Sequence, residues 1–64
     1  MTFSEYLTAL NDLEIKLCND YKFDRSIAKK IASKAYIENE YEAEQYAYEL
    51  ADLVADCIKL ASNV

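Results

Sequence analysis

Glycine, proline, histidine and tryptophan are all absent from the 64 residues of this chain. Each absence removes a class of chemistry. Without glycine there is no phosphate-cradling loop and no dinucleotide-binding fingerprint. The Asn-Gly or Asp-Gly turn of a tight β-hairpin is missing too. Without histidine, Ser-His-Asp catalysis and a Cys/His zinc finger are excluded. An EF-hand calcium loop needs a glycine at its sharp turn. The two cysteines, Cys18 and Cys57, have no histidine to act as base for a nucleophilic thiol. Both lie on or beside apolar stripes, so both are expected to be buried and shielded from thiol reagents. Acid–base work by paired carboxylates needs a concave, partly desolvated site. A chain of this size has little interior for one. The expectation is a protein that is not an enzyme, with no cofactor and no bound metal.

Long hydrophobic runs are also lacking. The apolar run at Leu53, Val54 and Ala55 is as long as any in the sequence, against the roughly 20 residues a membrane helix requires. The first residues, Met1 to Glu5, have neither the basic nor the apolar character of a signal sequence. Two cysteines spaced far apart suit a reducing compartment better than a disulfide framework. These features predict a cytoplasmic protein with no membrane partner. A domain of this size buries only about 60% of its unfolded surface, so a partner or a second copy is the expected supplement to its stability.

What is present is helix-forming sequence. Alanine, glutamate, lysine and leucine are frequent, and nothing forces a break. Apolar spacing divides the chain into helices over about 3–19, 25–38 and 40–62. Thr2 and Glu5 form a capping-box pair at the first start. Phe3, Tyr6, Leu7, Leu10, Leu13, Leu17 and Tyr21 then follow one face, with Glu14 and Ile15 off it. The stretch 19–24 reads as the clearest break, with Asp24 as N-cap and Phe23 as the staple residue against Ala28. The second stripe is Ile27, Ala28, Ile31 and Ala35, with Tyr36 and Ile37 away from it. The third is Ala43, Tyr46, Ala47, Leu50, Val54, Cys57, Ile58 and Ala61, bordered by Leu53. Asn39 with Glu42 offers a further capping box before it. The predicted fold is all-α, a small single-domain three-helix bundle. The alternative is a helical hairpin with one long arm from residue 25 onward, dimerising into a four-helix bundle.

Charge is sorted by segment. Seven basic and twelve acidic residues leave a net charge of −5. Residues 1–24 carry net −3, residues 25–39 net +3, and residues 40–64 net −5. In the third helix Glu42, Gln45, Glu49, Asp52 and Asp56 fall on the face opposite the apolar stripe. Side chains at this spacing lie about 5–6 Å apart. Nucleic acid presents its phosphates on a comparable scale. Such a ridge can enter a basic groove, or serve only as a solvated face. The second helix carries Arg25, Lys29, Lys30 and Lys34. It could hold phosphates or pair with its acidic neighbours. The overall negative charge opposes encounter with nucleic acid, so direct nucleic-acid binding is not favoured.

Tyrosine is abundant, with six residues, and Tyr36, Tyr41, Tyr46 and Tyr48 crowd the junction of the second and third helices. Tyrosine suits interfaces because it joins a large ring to a hydrogen-bonding tip. Tyr41 and Tyr48 fall toward the acidic side. The candidate partner-binding set is therefore Tyr41, Glu42, Gln45, Tyr48, Glu49, Asp52 and Asp56.

In size, acidity and helicity the chain resembles the small proteins with which phages and mobile elements block host nucleases, the anti-CRISPR and anti-restriction proteins. That resemblance implies an inhibitor that occupies the basic groove of a nucleic-acid-binding host protein. The competing expectation is a homo-oligomeric structural or regulatory module. In that module Ile15, Ile37 and the tyrosines would form the self-association face.

Overall fold

A computed structural model describes residues 2–62; Met1, Asn63 and Val64 lie outside it. Three helices run in order, α1 (Phe3–Tyr21), α2 (Arg25–Glu38) and α3 (Ala43–Ser62). The all-α three-helix bundle is the observed fold. The chain turns between α2 and α3, so the long-armed hairpin does not form. Asn39 makes that turn, its side-chain oxygen accepting from the Glu42 amide at 3.2 Å. The carbonyl of Glu42 accepts from the Tyr46 amide, so α3 winds from Ala43 rather than from residue 40.

The other ends follow from local chemistry. Thr2 Oγ1 accepts from the Glu5 amide at 3.2 Å and starts α1. At its far end α1 continues through Asn19 and Asp20, two residues beyond the expected limit of 19. It stops at Lys22, whose φ of 63° is left-handed and whose amide donates to the Cys18 carbonyl. This is the position glycine ordinarily takes. A chain without glycine closes it with lysine, at a cost of about 1 kcal/mol. Asp24 is the N-cap of α2 as expected, although through its backbone. Its carbonyl accepts from the amides of Ile27 and Ala28, both at 3.1 Å. Phe23 is half-buried and its ring stacks on Tyr21 at 5.2 Å.

The core is narrow. Leu13, Leu17 and Ile31 are its large members, and Ala28, Ala32, Ala35, Ala43, Ala47 and Ala51 supply the rest. Alanine at helix contacts brings axes toward the lower end of the 8–10 Å range. This places α2 close against both neighbours, while α1 and α3 meet over a shorter stretch. Glu14, read from sequence as lying off the buried face, is only 8% exposed. Arg25 Nε donates to it at 2.9 Å, which makes its burial tolerable. The guanidinium also reaches Asn11 at 3.3 Å. Tyr36, expected away from the core, is half-buried with its ring edge-on to Tyr6 at 5.6 Å.

The helices are staggered. Lys16 of α1 meets Glu44 of α3, and further along Asp20 meets Tyr48 and Tyr21 meets Asp52. So α1 and α3 run parallel, with the first turns of α1 ahead of α3 and the last turns of α3 beyond α1. The molecule is 44 Å long, although a 20-residue helix spans only about 30 Å. The overhanging ends leave Phe3 74%, Leu53 63% and Leu60 67% exposed. Cys57, Ile58 and Ala61, expected in the core stripe, are exposed for the same reason. Cys18 is half-buried, and both thiols are free.

Candidate protein-binding face

The outward side of α3 carries the residues singled out from sequence, and the bundle divides them into two groups. Gln45, Glu49 and Asp56 are exposed along the helix, and Glu42 is exposed just before its first turn. Tyr41, in the turn before it, is 97% exposed. These five remain free to meet a partner. Tyr48 and Asp52 are engaged within the bundle, although Asp52 stays exposed. The Tyr48 hydroxyl donates to Asp20 at 2.6 Å and its ring lies 6.0 Å from that of Tyr21. The Tyr21 hydroxyl donates to Asp52, also at 2.6 Å. The two pairs clasp α3 to the end of α1. Tyr48 and Asp52 therefore have a structural role within the bundle. The reason is rotation of α3 about its axis. With Ala43, Ala47 and Ala51 inward, positions 44, 48 and 52 turn toward α1.

A third tyrosine–carboxylate bond joins Tyr46 to Glu38 at the other edge of α3. Glu38 also accepts from Lys34 at 2.7 Å. The lysine first and the tyrosine second hold the Glu38 carboxyl below the usual carboxylate range. The hydrogen bond to Asp52, then burial, pushes the Tyr21 hydroxyl up to about 12. The bond to Asp20, then burial, does the same for Tyr48, also to about 12. Tyr46 is raised chiefly by its bond to Glu38, and Tyr36 chiefly by burial. All four hydroxyls are held protonated, and those of Tyr21, Tyr46 and Tyr48 serve as hydrogen-bond donors.

The basic residues of α2 split in the same way. Arg25 serves Glu14, and Lys34 serves Glu38. Lys29 and Lys30 are exposed. A shallow trough of about 550 Å³ lies on the outer face of α2, lined by Lys29, Lys30, Ser33, Lys34 and Ile37 among others. Every lining residue comes from one helix. A single convex helix cannot converge polar groups on a small molecule as a cleft does. Among the described residues no group of His, Cys, Asp and Glu side chains is placed to hold a metal ion, and no helix is long and apolar enough to cross a membrane.

Sequence reasoning missed the Glu14–Arg25 pair and the three tyrosine–carboxylate bonds. Their partners lie between 8 and 31 residues apart, beyond the reach of helical periodicity. The excess of tyrosine over other aromatics was the available signal, and it pointed to interfaces within the molecule as much as outside it. The chain matches no family model, no curated protein and no solved structure.

Proposed function

We propose that this protein is a non-catalytic binding module whose acidic α3 face docks into a basic groove of a protein partner. The partner class that suits it best is a nucleic-acid-binding protein, which the module would inhibit by occupying the phosphate site. One observation carries the reading. Glu49 and Asp56 on one exposed side of α3, with Glu42 just before its first turn, recur every seven residues, with Gln45 between them and Tyr41 fully exposed at the near end. A row of fixed carboxylates on a rigid helix loses little entropy on docking. Its charge also steers encounter with a cationic surface.

The test is affinity capture from host lysate followed by binding kinetics across ionic strength. The triple variant Glu42→Gln, Glu49→Gln, Asp56→Asn removes three charges and leaves the tyrosine clasps intact. It should associate more slowly with the captured protein, and its binding should respond less to salt. Tyr41→Ala should instead speed dissociation at every salt concentration. If the triple variant binds and inhibits like wild type, the acidic row only keeps the protein in solution and the reading falls.

A further inference from the structure

Helix α3 carries two apolar stripes, and the bundle covers one of them and only the first part, Tyr46 and Leu50, of the other. Ala43, Ala47, Ala51 and the half-buried Val54 face inward. Tyr46, Leu50, Leu53, Cys57 and Leu60 form a second stripe beside it, spaced alternately by four and three residues. That alternation is the seam of a coiled coil. It is uncovered along its outer half, where Leu53 is 63% and Leu60 67% exposed and Cys57 lies open between them.

The borders of the seam carry opposite charge. Tyr46 donates to Glu38, so the seam runs along the edge of α3 next to α2. The two helices are antiparallel, and each step forward on α3 is a step back on α2. Leu50 is thus level with Lys34 and Val54 with Lys30. Lys34 shares the Glu38 carboxylate with Tyr46 and so stands at one border, with the exposed Lys30 one turn along the same helix. Glu42, Glu49 and Asp56 line the other, at the seven-residue spacing of the flanking positions that choose coiled-coil partners.

We infer that the occupant of this seam is a second copy of the chain, with the two α3 helices packed parallel about a twofold axis along them. Charge selects both the occupant and the direction. In the parallel arrangement each acidic border falls opposite the basic border of the other copy. Glu49 comes level with Lys34 of the second copy, and Asp56 comes near Lys30. An antiparallel pair would set acidic border against acidic border. The dimer joins Leu50, Leu53, Cys57 and Leu60 across the axis and leaves Gln45, Asp52 and Tyr41 outside. The dimer and the proposed basic partner compete for Glu49 and Asp56, but the dimer rests on the leucines. Leu53→Asp with Leu60→Asp removes the dimer while leaving the acidic row intact for the basic partner.

The experiment is sedimentation equilibrium of the full chain over a concentration series in reducing buffer, with helicity followed by circular dichroism. Wild type should rise from 7.4 kDa to twice that mass. Leu53→Asp with Leu60→Asp should stay at the monomer mass and remain helical, because neither side chain is needed by the bundle. Lys30→Glu with Lys34→Glu should weaken the dimer by roughly tenfold or more, and adding Glu49→Lys and Asp56→Lys should restore it. A wild type that stays monomeric throughout overturns the inference, as does a leucine variant that dimerises like wild type. Failure of the four-charge exchange to restore association overturns the parallel arrangement.

Discussion

Alkali should unfasten α3 from α1 between pH 10 and pH 12. Tyr21 and Tyr48 have an ordinary value of 10.0 and are held at about 12 by the bonds they donate to Asp52 and Asp20. A hydroxyl with a raised folded value favours the fold while it is protonated. Its contribution is full below pH 10 and is lost as pH rises through about 12. A tenfold change in proton affinity is worth about 1.36 kcal/mol, so raising a hydroxyl from 10.0 to about 12 would contribute ~2.7 kcal/mol if fully transmitted. Water reaches both carboxylates, and screening reduces this to roughly 1 kcal/mol each. The pair together would contribute ~2 kcal/mol, against a total of about 3–10 kcal/mol for a domain of this size. The comparison is Tyr21→Phe with Tyr48→Phe, which keeps both rings packed and removes both hydroxyls. Urea unfolding followed by circular dichroism should find the variant less stable by about 2 kcal/mol near pH 9. The difference should close as pH approaches 12, since lysine titration affects both proteins alike. A gap that stays constant across this range, or no gap near pH 9, refutes the role assigned to the clasps.

Two shorter predictions concern the α1 end and the thiols. Lys22→Gly should stabilise the protein by up to about 1 kcal/mol by relieving the left-handed backbone there; a loss of stability in urea unfolding would mean that the lysine side chain matters more than its backbone. In dilute solution a thiol reagent should label Cys57 rapidly and Cys18 slowly. Equal rates for the two would contradict their different burial.

Helix type and number were legible because both rest on nearest-neighbour physics. Thr2, Asp24 and Asn39 announced helix starts or turns through their own backbone chemistry, and each acts within four residues of itself. The end of α1 departs from expectation because Asn19 and Asp20 favour breaks in isolation. In the fold Asp20 holds Tyr48 instead, and the helix runs on to present it. The candidate site was legible in part. Glu42, Gln45, Glu49 and Asp56 are exposed as the helical wheel places them, and Tyr41 is more exposed than any other large apolar side chain.

Composition and periodicity by themselves determined that this is an all-α chain with three amphipathic segments, with no loop or triad chemistry of the kinds that need glycine or histidine. They determined equally that net negative and net positive charge would sit on different helices. Those properties are local, and a residue's own backbone preference and its neighbours at three and four positions suffice to set them. Only the tertiary structure decided which of two adjacent apolar stripes on α3 faces inward. Both satisfy the same period, and the choice depends on how closely alanines at 43, 47 and 51 let α2 approach. That rotation sends Tyr48 and Asp52 to α1, exposes Leu53, Cys57 and Leu60, and leaves Glu42, Glu49 and Asp56 as a clear row. Stagger is likewise a property of the assembled helices, because it balances contacts made by residues about 30 apart in sequence.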